Sequence, residues 1–362
     1  MSSSSVWSLA EALNKIYDIH VVRKGEQRRQ ANPEGQTSGW ITLQTRREFV
    51  TSLMGSTLVS AGLSCTRSDP RQSSASDETQ EKHPMKLSLS VRIAESPTKK
   101  DGTTMPLDEI IALANAQGYE AICMRASQVG IESQKDLIDE AAQKIAAGGL
   151  TVSMVTGDFS VPRNNDRGPR GLRDITPYLD LADQLGADLI RVCMKREEDI
   201  GWAQRAADEA RERNIRLAHQ AHTRSLFETV DGSVRVLRKI DRSNFGIIYE
   251  PANWLLSGQK YGSAAIRRVE QWMFNVYVQN CRIRPGGPGR IDTWTQGNVE
   301  FDHIGLWEDG GVDFDDVTAG LQRVNYKGYV TVHQAFAGIM SPTDAVRKSA
   351  EYLRPRIAPR TG

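Results

Sequence analysis

Residues 187–222 read ADLIRVCMKREEDIGWAQRAADEARERNIRLAHQAH. An apolar run, ADLIRVCM (187–194), gives way to a helix-patterned stretch from Trp202 to Arg213 and then to a second run, IRLAHQ (215–220). Both runs are nearly continuous rather than alternating, as strands covered on both faces are. Their starts lie about thirty residues apart, the size of one strand–helix unit. The second run closes on His219, Gln220 and His222, a costly choice if packing were the only purpose.

The same rhythm extends in both directions. Further strands are expected at LSLSV (87–91), YEAICM (119–124), LTVSMV (150–155), FGIIYE (245–250), FNVYVQ (274–279) and YVTVH (329–333). Between them lie helix patterns. LDEIIALANAQG carries Leu107, Ile110, Ile111 and Ala114 on one stripe, with Gly118 as its stop. DLIDEAAQKIAAGG, ITPYLDLADQLG, GSVRVLRKI, SAAIRRVEQWM, VDFDDVTAGLQRV (312–324) and PTDAVRKSAEYL behave likewise. Eight such units predict an α/β chain folded as a (β/α)8 TIM barrel over residues 85–355. An open doubly wound sheet is the rival. It is disfavoured because no G-x-G-x-x-G follows the first strand and no G-x-x-x-x-G-K-S/T occurs anywhere.

The front of the chain is a separate object. TRREFVTSLMGSTLVSAGLSC (45–65) places twin arginines before a short, weakly apolar, small-residue stretch. That stretch is too short and too polar to span a bilayer, and it reads as an export signal. It resembles bacterial twin-arginine signals in Thr45, Arg46, Arg47 and Phe49. Two processing routes are open: cleavage with a lipid anchor on Cys65, or cleavage nearby with no lipid. The expected location is the periplasm, or the cell envelope by lipid anchoring. Residues 1–44 are read as a prefix outside the fold, and 66–84, rich in Ser, Asp and Gln, as a disordered tether. No transmembrane segment is expected. Lys plus Arg number 46 against 45 Asp plus Glu, so no global field draws the chain to nucleic acid. Of the four cysteines, Cys123 and Cys193 sit inside apolar runs and read as small core residues. Oligomeric state is left open.

In a barrel the active site collects at the C-terminal ends of the strands. Those ends carry Arg125; Thr156, Gly157 and Asp158; Lys195 and Arg196; His219, Gln220 and His222; Glu250 and Asn253; Tyr277, Gln279 and Asn280; and His333 with Gln334. Glu250 ends an apolar strand ahead of a proline, so its carboxylate is expected in the barrel mouth, where it needs a cation, a proton or several donors. His222, Glu250 and His333 could supply three ligands to a divalent metal (manganese, zinc or magnesium), with His219 or Gln220 as a fourth. Strand alternation places Gln220 and His222 toward the mouth and His219 away from it, as a packing residue. Arg282 and Arg284 offer either an anion clamp or an ordinary solvated glycine turn. Trp254, Trp294 and Trp307 are candidates to line the pocket.

With these residues in view, the chain from about Met85 to Leu353 resembles the xylose isomerase-like barrels. That group includes sugar-phosphate isomerases, ketose 3-epimerases, inosose dehydratases and barrel-type abasic-site endonucleases. The resemblance rests on LGADLIRV, IRLAHQAH, GIIYEPAN, NVYVQNCR, EDGGVDF and GYVTVH in that order. It implies an enzyme that moves a proton beside the carbonyl of a sugar or sugar acid, with possible metal assistance: an isomerase or epimerase, less readily a dehydratase. Its small-molecule partner would be a carbohydrate. The family pattern has glutamate with histidine at strand five, aspartate with Pro and Asn at strand six, histidine at strand seven and glutamate at strand eight. Gln220 with His222, Glu250 with Pro251 and Asn253, Tyr277 with Asn280, and His333 match those positions. Only Glu250 keeps its chemical type. The resulting expectation has His333, His222 and Glu250 catalytic, and Gln220, Asn253, Tyr277, Asn280, Arg282 and Trp254 binding substrate. The alternative is a non-catalytic carbohydrate-binding barrel of the cell envelope.

The export reading has a direct test. Replacing Arg46 and Arg47 together by lysine is expected to leave the precursor inside the cell, as cell fractionation followed by immunoblotting would show; undiminished export would remove it.

Overall fold

All eight apolar runs are strands in a computed structural model of the chain, which describes residues 85–96 and 102–358. The stretches expected to be a prefix, an export signal ending at Cys65 and a tether lie outside the described residues. The first seven strands are β1 (Lys86–Ser90), β2 (Ala121–Arg125), β3 (Thr151–Thr156), β4 (Leu189–Val192), β5 (Arg216–Gln220), β6 (Phe245–Tyr249) and β7 (Met273–Val278). Three further strands, β8 (Cys281–Ile283), β9 (Gly289–Thr293) and β10 (Gly297–His303), precede β11 (Tyr329–Val332). Strands β1 to β7 and β11 are all parallel and form a closed barrel. Leu89 is the seam residue, paired with Val332 on one side and Ile122 on the other.

Helices separate the strands where the apolar stripes predict them. They are α1 (Leu107–Ala116), α2 (Lys135–Ala147), the short α3 (Ser160–Arg163) and α4 (Arg170–Arg173), α5 (Thr176–Leu185), α6 (Asp199–Glu212) and α7 (Val230–Ile240). After β6 come α8 (Pro251–Leu256) and α9 (Ser263–Val269), and later α10 (Phe314–Arg323) and α11 (Pro342–Ile357). In α7 the Thr229 hydroxyl accepts from the Gly232 amide at 2.9 Å, capping the first turn. Its Val234, Leu237 and Ile240 are buried, each worth about 1.5–3 kcal/mol of transfer free energy. Gly186, at φ +66°, turns the chain out of α5 into β4, a conformation that costs a residue with a Cβ but not glycine.

Alternation along the strands fills the barrel in layers. At the bottom, the Ser88 and Ser153 hydroxyls meet at 2.7 Å, and Thr331 donates to Asn275 Oδ1 at 2.8 Å. The middle layer is an apolar plug of Cys123, Met154, Leu189, Ala218, Ile248 and Tyr277. Two residues further along each strand lies the mouth. Cys123, Cys193 and Cys281 are free thiols, all within 2% of complete burial.

The sequence reading missed one element. Strands β8, β10 and β9 form a small antiparallel sheet, in that order, inserted between β7 and α10. A glycine turn was expected there. The predicted helix SAAIRRVEQWM also ends early: a 3₁₀ turn (Glu270–Trp272) follows α9, and β7 begins at Met273.

Gly246, on β6, shows how closely the strands approach. A Cβ there would lie 2.3 Å from the Trp272 carbonyl oxygen and 2.7 Å from the Phe274 ring. Gly246→Ala is expected to cost about 1–3 kcal/mol. Gly201, in α6, has nothing within 4 Å of such a Cβ, so Gly201→Ala is expected to hold or raise stability by up to about 1 kcal/mol. Denaturant melts of the two variants check both.

Candidate active site

The mouth of the barrel is built around Glu250. It follows β6 and caps the start of α8, and it has 0% exposure. Three amides clothe its carboxylate. Gln220, at the end of β5, donates to Oε2, and Gln279, after β7, donates to Oε1. Asn253, one turn into α8, donates to Oε2 at 2.8 Å and to the Ala221 carbonyl at 2.9 Å. Burial pushes the carboxyl up to about 7; the Gln220 amide, Arg92, Arg191 and the Gln279 amide pull the other way. A carboxyl so placed can hold or release a proton near neutral pH.

His333 ends β11 and lies flat against Tyr277, with ring centroids 3.7 Å apart and planes 4° from parallel. Its Nδ1 is 3.1 Å from the Ser90 hydroxyl, and Arg92 donates to its carbonyl at 3.2 Å. His222 is half-buried, with Nδ1 3.0 Å from the Thr223 carbonyl. Donation there leaves Nε2 as the lone-pair nitrogen. Burial first, then the neighbouring arginines, hold both imidazoles well below their usual range, so both are neutral. His219 faces the other way. Its ring stacks on Phe227 at 4.4 Å, Nε2 sits 3.2 Å from the Met194 carbonyl, and burial pushes it down to about 3. It is a packing residue.

Two arginines complete the mouth. Arg125 ends β2, is 6% exposed and pairs with Glu95, its Nη2 at 3.3 Å. Arg191, in the middle of β4, is 2% exposed, and burial lowers it from its usual range. Arg191 was not singled out in the sequence. Its signal was there, a charge inside the apolar run LIRV on the same strand face as Leu189.

Several expected substrate contacts are elsewhere. Trp254 has 0% exposure, packs edge-on against Tyr249 and donates its indole N–H to the Phe227 carbonyl at 3.2 Å; it belongs to the core outside the barrel. Tyr277 lies in the plug beneath His333, its hydroxyl 3.3 Å from Cys123 Sγ. The β7 residue that faces Glu250 is Gln279, two positions on. Asn280 is consumed in structure: its amide donates to the Gly305 and Glu308 carbonyls at 3.0 and 3.1 Å and accepts from the Val312 amide at 2.8 Å. Arg282 is exposed on β8. Arg284 is tied bidentately to Asp302 at 2.6 and 2.7 Å, so of the two readings of this arginine the anion clamp gives way to an ordinary ion pair. Trp294 is 56% exposed, whereas Trp307 stacks parallel to Phe336 at 6.3 Å.

A family model described as "Xylose isomerase-like TIM barrel" matches residues 111–356. The chain belongs to that family. Solved barrels of similar fold include the probable 3-DHS dehydratase of petrobactin synthesis from Bacillus anthracis, at 14% identity and TM-score 0.58, covering 75% of this chain and 99% of that one. The D-allulose 3-epimerase from Methylomonas sp., solved with D-allulose, is 15% identical at TM-score 0.56, covering 76% and 98%. A Mycobacterium smegmatis member, solved with magnesium, is 16% identical at TM-score 0.53, covering 76% and 98%. No curated protein matches the chain. At these identities the likeness shows the fold.

The family's metal can be tested against the residues present. Gln220, Glu250, Gln279 and His333 offer one carboxylate, two amides and an imidazole, and both oxygens of that carboxylate already accept amide N–H groups. His222, Glu250 and His333 do not converge as a ligand trio; among the described residues no group of three or more His, Cys, Asp and Glu side chains could hold a metal ion. Arg92, Arg125 and Arg191 all lie close enough to depress His333. With Arg125 already paired to Glu95, a divalent cation would meet the single carboxylate of Glu250 against Arg92 and Arg191. These donors do not fit it.

The mouth predicts a pH signature. Glu250 is raised from 4.5 to about 7, so its contribution is fully present below pH 4.5 and is lost as pH rises through 7, by about 3 kcal/mol. The four histidines His219, His222, His303 and His333 are all lowered, so each contributes stability above pH 6.5 that is lost as pH falls. Wild-type stability is expected to rise from pH 4.5 to 6.5, then decline through pH 7. Glu250→Gln should rise more steeply and lack the decline. Melting temperature against pH reads the slope.

Proposed function

We propose that this barrel moves a proton beside the carbonyl of a sugar or sugar acid, as an isomerase or epimerase does. The observation that carries the reading is Glu250: a fully buried carboxyl under three amide donors, with its titration pushed up to about 7. A general acid–base works best when its pKa lies near the operating pH. Ionised, Glu250 takes the proton from the carbon next to the carbonyl, and the electron pair moves onto the carbonyl oxygen to give an enediolate. The arginine field at the mouth stabilises that oxygen. Returning the proton to the neighbouring carbon completes an isomerisation, with no net gain or loss of atoms or electrons. The neutral imidazoles of His222 and His333 are available to shuttle the hydroxyl protons.

A non-catalytic carbohydrate-binding barrel is the second reading. It is favoured by the same geometry seen differently: both Glu250 oxygens are engaged by amides, so the carboxylate could simply hold the mouth together. The export signal at Thr45–Phe49 supports placing either protein in the periplasm or, through Cys65, on the envelope as a lipoprotein.

Exchange of substrate C–H for deuterium separates the two. Screened over ketoses, inososes and sugar acids in deuterated water, the wild type is expected to exchange one carbon-bound proton, with the rate rising through pH about 7. Glu250→Gln should lower exchange by about 10²–10⁴-fold without lowering the melting temperature. His222→Ala should reduce turnover with the fold intact. Sugar binding with no exchange by the wild type would leave the binding reading in place.

A further inference from the structure

Arg191 is a buried charge whose side chain has no partner among the described residues. It is 2% exposed and points inward from β4. Among the described residues its guanidinium makes no hydrogen bond or ion pair, and its Nε is buried without a partner. Arg125 Nη1 and Thr156 Oγ1, from the adjoining strands β2 and β3, are likewise buried and unpartnered. A buried guanidinium without a counter-charge costs several kcal/mol, so the fold holds it there at a penalty. Arg125 is matched by Glu95, and Asp158 by Arg170. The charge that would match Arg191 is Glu250, which acts on it only at a distance and is itself pushed toward the neutral form.

We infer that Arg191, with Arg125 Nη1 and the Thr156 hydroxyl, binds a carboxylate of the substrate, so that the ligand is a sugar acid and not a neutral sugar. The planar fork of arginine donors matches the two oxygens of a carboxylate. A phosphate suits the site less well. In this fold phosphate is commonly held by the loops after the seventh and eighth strands. Here the Asn280 side chain holds the Gly305 and Glu308 carbonyls and Gln334 holds the Asn280 amide and the Ile304 carbonyl. The inference rests on the reading that the mouth takes a sugar-like ligand, but it assigns the anion to β2–β4, away from Glu250.

Matched pairs of ligands test it: glucuronate and galactonate against glucose and galactitol, by calorimetry and thermal shift on the full chain. The acids are expected to bind wild type at least tenfold more tightly than their neutral partners. Arg191→Met should abolish that preference while leaving the unliganded melting temperature unchanged or higher, since an unpaired buried charge is removed. Arg191→Lys, which keeps the charge, should retain part of the preference, and Glu250→Gln should retain it in full. Equal binding of acid and neutral sugar by wild type, or an acid preference that survives in Arg191→Met, would overturn the inference. So would inorganic phosphate displacing the acids at lower concentration than the acids themselves bind. Acid binding through Arg191 with no deuterium exchange would sink the proton-transfer reading and leave this one standing; exchange without an acid preference would do the reverse.

Discussion

The mouth of this barrel depends on how a carboxylate with no exposure to solvent is kept there. Burial alone would drive Glu250 to the neutral acid. The amides of Gln220, Asn253 and Gln279 oppose that by donating to its oxygens. Two of those amides come from the strands on either side, β5 and β7, so the hydrogen bonds also fix the spacing of three strand ends. The compromise is a group balanced between charge states, standing beside cations that strengthen whichever negative charge forms. Gln220 thus adds no negative charge of its own to the mouth and supplies an N–H that the carboxylate needs.

The fold was legible because each layer of the barrel has a sequence counterpart. Eight apolar runs at a nearly constant interval, with helical stripes between them, admit few other architectures. The small sheet of β8, β9 and β10 was not legible. Strand β8 has three residues, with Arg282 and Ile283 exposed. Strands β9 and β10 alternate, burying Ile291, Thr293, Val299 and Phe301 between polar neighbours. That is a weaker mark than the continuous apolar runs of the barrel strands, and the PGGPGR turn dominates the local signal.

The site was legible in part. Alternation along β5 sets Gln220 toward the mouth and His219 outward, and FGIIYEP sets Glu250 at the rim. Sequence neighbours misled elsewhere. Trp254 is one residue from Asn253, but a helix turns about 100° per residue, which sends the amide back to Glu250 and the indole into the core. On β7 Tyr277 lies in the plug, and the residue that faces Glu250 is Gln279, one full repeat of the strand further on. Arg191 escaped because an isolated charge within LIRV reads as a flaw in a strand until its neighbours in space are known.

The three thiols described with the fold have a consequence for redox chemistry. Cys123, Cys193 and Cys281 are enclosed, and burial holds all three sulfur atoms in the protonated form, above the usual thiol range. Thiolate is the species that attacks a disulfide. Once the barrel has closed, an oxidising milieu and its disulfide-exchange proteins find no nucleophile to react with at these positions. In the open chain the same cysteines would be free to cross-link wrongly. For such a sequence the order of events matters more than the compartment: closing the barrel before it meets an oxidant removes all three thiolates from reach.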